Sequence, residues 1–422
     1  MNTFRVADAT QETLTQLQSE FEQLKAQGLS LDLTRGKPGN EQLSLSESMD
    51  GILNGNYFIN GTDTRNYGGL DGINEVKDLF APALDVDPRD IIIGGNASLT
   101  MMYQSILFAY LYGFEGEQSA WKNLSSPKFI CPVPGYDRHF SICEEFGIEM
   151  ITVAMDENGP DMDAVEALIK ADEQIIGMWN VPRFSNPTGI VYSHEVVERI
   201  AKLGHIASSN FRVFWDNAYA VHIVESDAPL LCPISQFTQQ YGTEDSILQF
   251  GSTSKITFAG AGVAFMAASE KNRQLYKKHL GMSSIGPDKI NQLRHLKFFK
   301  DTAGLNQHMQ KHAALLKPRF DAVLNNLNAN FAGSDALTWT VPTGGYFVSV
   351  DTQDGLAQDV VNLANECGVK LTPAGATFPY GNDPKNSNIR LAPSFPSVKD
   401  ITTAMQIFSV CVKLAATKKA LA

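Results

Sequence analysis

The chain has 422 residues, which is long for a single ordinary core, so two domains are the default expectation. With 43% hydrophobic and 19% charged residues it is typical of a globular protein, and its formal net charge of −12 argues against binding to nucleic acid or to anionic lipid. We therefore expect small-molecule partners, with no nucleic acid and no membrane among them.

The N-terminal residues predict no secretory signal, because they contain no apolar h-region. Asp8 followed by Gln11 predicts a helix cap, and apolar residues then recur at helical spacing until Gly28 ends the helix. A loop rich in turn formers follows at residues 33–39. The most apolar stretch, Leu99–Phe114, is short for a membrane span and predicts a buried helix.

From this loop to about residue 270, short apolar runs alternate with helical stretches. Buried runs of this length, separated by helices, predict a mostly parallel sheet in an α/β domain. The predicted strands are Ile91–Ile93, Lys128–Cys131, Gln174–Met178, Phe211–Trp215, Ser246–Phe250 and Val263–Ala267.

The pattern changes after about Asn291, where a long helical region runs to about Asn330 and is predicted to kink or break near Pro318. Further strands and a closing helix from Val398 predict a smaller α+β domain. We expect residues 1–50 to form an N-terminal arm and helix belonging to the small domain, 51–300 the large domain and 301–422 the small C-terminal domain. The strands predicted here are Leu337–Val341, Gly345–Val350, Val369–Leu371 and Ile389–Leu391.

The cysteines are scattered along the chain, with no CxxC pair and no cluster of histidines near them. This distribution predicts reduced core thiols and a cytoplasmic location, and disfavours a zinc site or a disulfide framework. The cysteines are Cys131, Cys143, Cys232, Cys367 and Cys411.

A glycine loop, Ile93-Gly94-Gly95-Asn96-Ala97-Ser98, lies between a predicted strand and a predicted helix. Free backbone N–H groups and the positive end of the helix dipole suit a phosphate there, although a tight strand–helix turn is the alternative. The loop matches neither GxxxxGK[ST] nor GxGxxG, so nucleotide binding is not indicated.

Two polar groups follow predicted strands. Lys255, in Ser252-Thr253-Ser254-Lys255, is a candidate buried amine, because burial lowers the pKa of a lysine and makes its neutral form available for imine chemistry. Asp216, in Trp215-Asp216-Asn217-Ala218-Tyr219, ends an apolar run where parallel sheets bind ligands. The alternatives are a solvated lysine, and a helix cap or ion pair at Asp216.

Two further motifs complete the set. Asn186-Pro187-Thr188-Gly189 is either a functional loop or a plain turn. Arg390 lies within an apolar run, where burial is costly unless the guanidinium meets an anion such as a carboxylate. An arginine pointing off an edge strand is the alternative.

In the order NPTG, D-x-x-Y, S-x-S-K and a late arginine, these motifs resemble those of the fold type I pyridoxal-phosphate enzymes. The resemblance is to the class I aminotransferases, and within them to the bacterial aspartate aminotransferase subgroup Ic, from about Arg35 to Arg390. It implies an α/β transferase fold, with a large cofactor-binding domain built on a mostly parallel sheet and a smaller α+β domain. It also implies pyridoxal 5′-phosphate as cofactor and a homodimer.

The resemblance assigns the chemistry to a small set of residues. Lys255 would hold the cofactor through an imine and then move the proton at the substrate α-carbon. Asp216 would pair with the pyridine nitrogen, while Tyr219 and Asn186 would hydrogen-bond the ring oxygen. Arg390 would bind the substrate α-carboxylate.

The same resemblance gives supporting roles to other residues. Tyr136 would stack on the cofactor ring, His139 would orient Asp216, and Gly36 would line the entrance. Tyr67 would reach the phosphate across a dimer interface. The phosphate would contact Gly95, Asn96, Ala97 and Ser252.

One position departs from the family pattern. Many relatives carry a phosphate-binding arginine eight residues after the lysine, where this chain has Val263, and Lys289 is a candidate replacement. The sequence does not rank the candidates for binding a second substrate carboxylate. They are Arg35, Lys37, Arg138, Arg183, Lys289 and Arg294.

These residues favour an aminotransferase that moves the amino group of L-aspartate to 2-oxoglutarate. A transaminase of other amino acids and a C–S β-lyase use the same cofactor residues and stay open as alternatives. A non-catalytic sensor is a third possibility. It is disfavoured by the short N-terminal helix and the acidic charge.

Overall fold

The computed structural model describes residues 4–422. Its α-helices are α1 Gln11–Lys25, α2 Asn40–Ser44, α3 Asn74–Leu84, α4 Ser98–Tyr112, α5 Asp137–Glu145, α6 Met162–Ala171, α7 His194–Lys202, α8 Ile234–Tyr241, α9 Glu270–Leu280, α10 Lys289–Phe299, α11 Thr302–Phe331, α12 Ala357–Glu366 and α13 Val398–Ala420. Short 3₁₀ helices occur at Val6–Asp8, Glu47–Met49, Pro88–Asp90, Glu117–Ser119, Trp121–Asn123, Leu203–His205, Glu244–Ser246 and Pro379–Gly381.

The strands follow the same chain order. They are β1 Leu31–Asp32, β2 Phe58–Ile59, β3 Thr62–Asp63, β4 Ile91–Ile93, β5 Lys128–Val133, β6 Glu149–Asp156, β7 Gly159–Pro160, β8 Ile175–Asn180, β9 Arg212–Asp216, β10 Ile247–Ser252, β11 Ala264–Ala268, β12 Leu337–Trp339, β13 Val348–Thr352, β14 Val369–Lys370 and β15 Asn388–Leu391.

The centre of the fold is an eight-stranded sheet with the order β4-β11-β10-β9-β8-β5-β6-β7. The pairs β10–β9, β9–β8, β8–β5 and β5–β6 are parallel, whereas β11 is antiparallel to both neighbours and β7 to β6. The predicted mostly parallel α/β sheet is confirmed, and all six predicted apolar runs contribute a strand to it.

Helices cover both faces of this sheet. Successive side chains of β9 point to opposite faces of the sheet. Phe214 packs in the core under α4, while Val213 packs in the core under α7. The carboxyl ends of the parallel strands therefore meet along one edge, where open α/β sheets place their ligands.

A second, antiparallel sheet, β12-β13-β15, packs with α11, α12 and α13 around a separate apolar core. The N-terminal helix α1 contributes Leu17 and Phe21 to this core, and β1 pairs in parallel with β14. The start of the chain thus packs with its C-terminal elements. The proposed domain bounds at about residues 50 and 300 stay a prediction.

Two details of the helix predictions are wrong. Helix α1 is capped by Thr10, whose hydroxyl accepts from the Thr13 N–H at 3.1 Å, whereas Asp8 ends the preceding 3₁₀ helix. The long helical region breaks at Lys300, which has a φ of 68°, and not near Pro318. Asp301 caps the new helix by accepting from Gly304 N–H at 2.8 Å, and α11 runs on through Pro318 because buried side chains on either side anchor it.

The apolar stretch 99–114 lies largely in α4, with Met101, Met102 and Ile106 in the core, so the predicted buried helix is confirmed. Among residues 4–422, no helix combines the length and apolarity that crossing a bilayer requires.

Candidate active site

A cavity of about 600 Å³ lies at the carboxyl ends of the parallel strands. Tyr136, Tyr219 and Lys255, which follow β5, β9 and β10, line one part of it. Arg390 of the smaller sheet and Gly36 of the N-terminal segment line another part. The fold therefore brings predicted site residues from distant parts of the chain to one cavity.

Lys255 lies in the turn after β10 and keeps partial access to the cavity. Burial lowers the pKa of its amine, and the Asp216 carboxylate opposes this shift. Its Nζ lies 5.0 Å from the centroid of the Tyr219 ring. A lysine in this environment offers more neutral amine at physiological pH than a solvated one.

The backbone of this lysine is held by a buried polar network that local sequence patterns did not indicate. The Tyr346 hydroxyl donates to the Lys255 carbonyl at 3.0 Å, and His222 Nε2 lies 3.4 Å from the same oxygen. Gln42 Nε2 in turn donates to the Tyr346 hydroxyl at 3.0 Å.

Gln42 is fully buried, and its side-chain oxygen accepts from the Gly39 N–H at 3.1 Å and from Arg319 Nη1 at 3.3 Å. The network thus links the segment next to the cavity entrance to the main chain of Lys255. Neither Gln42 nor Tyr346 belongs to a recognisable motif.

Asp216 ends β9 and is buried against His139, whose Nε2 lies 3.0 Å from Asp216 Oδ2. Because a carboxylate oxygen accepts, Nε2 is the donor in this bond. His139 is itself stacked on Trp179, with ring centroids 4.1 Å apart. Within residues 4–422, the other oxygen, Asp216 Oδ1, is buried without a hydrogen-bond partner, which leaves it available to a polar ligand group.

Tyr136 meets His139 edge to face, with ring centroids 4.9 Å apart. Burial, followed by the carboxylates of Asp216 and Asp137, raises the pKa of the Tyr136 hydroxyl. Burial likewise raises the pKa of Tyr219. Both hydroxyls are therefore held in the protonated form and can donate hydrogen bonds.

The glycine loop packs closely against the turn that carries the lysine. Ser254 Oγ donates to the Asn96 carbonyl at 2.8 Å, and Ser252 Oγ donates to Ser254 Oγ at 3.2 Å. The cap residue of α4, Ala97, supplies no side-chain acceptor to the first-turn N–H groups. Nothing lies within 4 Å of a Cβ built on Gly95, so the loop presents backbone to open space, as a phosphate site requires.

The structure places Val263 in the core, and its N–H donates to Thr253 Oγ1 at 2.8 Å. The Lys289 amine donates to the carbonyls of Asn66 at 2.8 Å and Gly68 at 2.5 Å. The contacts of Lys289 are therefore with the loop of Tyr67, and its role at the phosphate stays a prediction.

Arg390 is 6% exposed, so it does not point off the edge of its sheet. Its Nη1 donates to Asp137 Oδ1 at 3.0 Å and to Asn186 Oδ1 at 3.2 Å, and its Nε is buried without a partner. The guanidinium carbon lies 5.0 Å from the centroid of the Phe347 ring. A Cβ on Gly36 would lie 2.4 Å from Phe347 Cζ, so only glycine lets the entrance segment pass this ring.

In the NPTG turn, Gly189 has a φ of 72°, and a Cβ there would lie 2.4 Å from Pro342 Cβ. Its backbone conformation and its close packing both require glycine. The turn thereby fixes the position of Asn186 beside Arg390.

The candidates for binding a second carboxylate divide into two groups. Arg35, Lys37 and Arg138 line the cavity. The other three bind main-chain oxygens elsewhere: Arg183 that of Ala220, Arg294 that of Met49, and Lys289 those of the Tyr67 loop.

The mostly parallel sheet and the smaller α+β unit give this chain the fold type I aminotransferase architecture. A family model described as "Aspartate amino-transferase" matches residues 6–422. The chain is 46% identical over 402 residues to the aspartate aminotransferase of Corynebacterium glutamicum, covering 95% of this chain and 93% of that protein. The chain therefore belongs to the aspartate aminotransferase family, and it is an aminotransferase.

Solved structures agree with this assignment. The crystal structure of an aspartate transaminase from Corynebacterium glutamicum superposes with a TM-score of 0.94 at 43% identity, covering 99% of this chain and 100% of that chain. An α-aminoadipate aminotransferase from Thermus thermophilus, solved in complex with N-(5′-phosphopyridoxyl)-L-leucine, has a TM-score of 0.74 at 19% identity and covers 99% of each chain. It shares the fold.

Proposed function

We propose that this aminotransferase transfers the amino group of L-aspartate to 2-oxoglutarate, with pyridoxal 5′-phosphate held on Lys255. The observation that carries the proposal is the shared cavity of a lysine with a lowered pKa and a buried arginine. The relatives named as aspartate aminotransferases support aspartate as the amino donor.

The residues present fit this cofactor. The unpartnered Asp216 Oδ1 suits a protonated ring nitrogen, and the open first turn of α4 suits the phosphate. When bound, the cofactor supplies an electron sink for bond breaking at the substrate α-carbon. His139 keeps Asp216 oriented, and the amine of Lys255 moves the proton at that carbon.

Arg390 is the candidate for binding the substrate α-carboxylate, because a guanidinium fork matches a carboxylate and because Arg390 is the buried arginine of the cavity lining. Arg35, Lys37 and Arg138 supply positive charge to the same cavity, so a second carboxylate is favoured there. This charge distribution supports a dicarboxylic substrate over alanine.

The working unit in this proposal is a homodimer with shared sites. Tyr67 is 84% exposed on the loop that Lys289 anchors, and Met282 and Ile285, 84% and 63% exposed, lie on the adjoining segment. Gly286 joins the two segments, since a Cβ there would lie 2.7 Å from Gly68 O. Such a neighbouring set of exposed apolar side chains suits a second copy of the chain.

We also propose a cytoplasmic location. Four of its five free cysteines are buried, as is typical of core thiols in a reducing compartment.

The amino-donor specificity can be tested with L-aspartate, L-glutamate, L-alanine and L-phenylalanine, each with a 2-keto acid acceptor. Aspartate with 2-oxoglutarate should give a higher kcat/KM than the alanine and phenylalanine reactions. Equal or better rates with alanine would contradict the proposal, and release of pyruvate and ammonia from a sulfur amino acid would indicate a lyase instead.

The role of Arg390 is tested by Arg390→Ala in the same assays. Truncating a buried group that pairs with a charge costs about 2–5 kcal/mol, so every amino acid should be impaired alike. A loss confined to dicarboxylic substrates would mean that Arg390 binds the distal carboxylate.

A further inference from the structure

The guanidinium of Arg390 already has an internal carboxylate beside it. Asp137, the first residue of α5, follows Tyr136 directly and lines the same cavity. Its Oδ1 lies 3.0 Å from Arg390 Nη1, and the side chains are 39% and 7% exposed respectively. The carboxylate therefore lies on the solvent side of the buried cation.

The local structure gives the Asp137 carboxylate no other anchor. Among residues 4–422, its only hydrogen-bond partner is Arg390, because Ser141 Oγ donates to the main-chain oxygen of Asp137 and not to its side chain. The carboxylate does not cap α5, whose cap residue is Tyr136. The ion pair is therefore not part of a larger structural network on the Asp137 side.

The guanidinium of Arg390, by contrast, still has an N–H donor without an acceptor. Nη1 is shared between Asp137 and Asn186, while Nε is buried and has no partner in the described part of the chain. An arginine fork accommodates a carboxylate through two parallel N–H groups, and a second carboxylate on the same cation is repelled by the first. A bound substrate carboxylate and Asp137 therefore oppose each other at Arg390.

We propose that Asp137 competes with the substrate carboxylate for Arg390 and so weakens the binding of every carboxylate ligand. The inference rests on the proposed role of Arg390 as the carboxylate ligand. Displacement of Asp137 is feasible because its side chain is partly exposed and because a carboxylate in the first turn of a helix is favoured by the helix dipole. Lys37 and Arg138 line the same cavity and offer other cations to the displaced group.

The test measures binding of two ligands that cannot be transaminated, propionate and succinate, to the holoenzyme by titration calorimetry. Asp137→Asn removes the charge with little change in shape. It should lower the Kd of both ligands by about twofold to fivefold, the equivalent of a partly exposed ion pair. Glu225→Gln is a matched control, since Glu225 is 35% exposed and pairs with Lys317 outside the cavity lining. It should leave both Kd values unchanged.

Unchanged or weaker binding in Asp137→Asn would overturn the inference. So would a gain for succinate alone, which would mean that Asp137 opposes a distal carboxylate, or a gain that persists in an Arg390→Gln background. In steady-state assays, the KM of every amino acid should fall more than kcat changes.

Failure of the proposed function is recognised separately. Propionate is not a substrate, so its binding does not depend on which amino acid is the donor. If Arg390→Gln alone leaves propionate binding intact, the assignment of Arg390 is wrong, whatever the effect of Asp137→Asn.

Discussion

Tyr346→Phe tests whether the network behind Lys255 positions the lysine. The change removes a hydroxyl that donates to the Lys255 carbonyl and accepts from Gln42, both at 3.0 Å. His222 Nε2 still lies 3.4 Å from that carbonyl, and Gln42 Nε2 still lies 3.2 Å from His312 Nδ1, so the main loss is one of the two hydrogen bonds of the Gln42 amide nitrogen. A hydrogen bond of this kind contributes about 0.5–1.5 kcal/mol net, and we expect a loss in this range in the free energy of unfolding.

The same substitution should affect turnover more than substrate binding. The hydroxyl contacts the main chain of the lysine, whereas Arg390 is held by other groups. We expect kcat to fall by roughly tenfold, the equivalent of about 1.4 kcal/mol, while KM stays within about twofold. Steady-state kinetics and urea unfolding measure the two effects.

Tyr276→Phe is the matched control. Tyr276 is also buried, and its hydroxyl donates to Gln104 at 2.6 Å, away from the cavity. This variant should lose stability without losing turnover. If Tyr346→Phe matches it in both properties, the network stabilises the fold but does not position Lys255.

Two further predictions concern the dimer and the buried His295. If Tyr67 serves the partner's site, refolding the Lys255→Ala and Tyr67→Ala variants together should restore about one quarter of wild-type activity. Half of the randomly formed dimers are then hybrids, and each hybrid carries one intact site out of two. No recovery would mean that Tyr67 serves the site of its own subunit. Burial lowers the pKa of His295 from 6.5 to about 4, so the unfolded chain protonates first and stability should be lost as the pH falls through this window. Urea unfolding across that range should show that the free energy of unfolding of His295→Gln depends less steeply on pH than that of the wild type. An unchanged slope would contradict this assignment.

Much of the fold was accessible from the sequence because strands buried on both faces are continuous apolar runs. Strand β8, with all six residues buried, is one such case. Strand β6 was not predicted, although it is apolar from Met150 to Met155 except for Thr152, and only Met150 and Val153 of its residues are buried. The helix break was misplaced because Pro318 is a strong local signal, whereas α11 continues through it between buried side chains and begins at the Asp301 cap.

The candidate site was accessible where residues follow parallel strands, since the carboxyl ends of these strands converge. Lys255, Asp216 and Asn186 belong to this group, and their chemical roles stay proposals. Contacts between distant segments leave no local pattern. The bond from Gln42 to Tyr346 spans 304 positions and that from Arg390 to Asp137 spans 253, so both emerged only from the fold.

The central claim is that Lys255 carries the cofactor, and borohydride reduction of the purified enzyme followed by peptide mapping tests it most directly. Borohydride reduces a carbon–nitrogen double bond between the cofactor and an amine, which makes the attachment permanent. We predict one pyridoxyl adduct on the peptide that contains Lys255, and loss of nearly all turnover in Lys255→Ala. An adduct on another lysine, or no adduct in an active enzyme, would contradict the account.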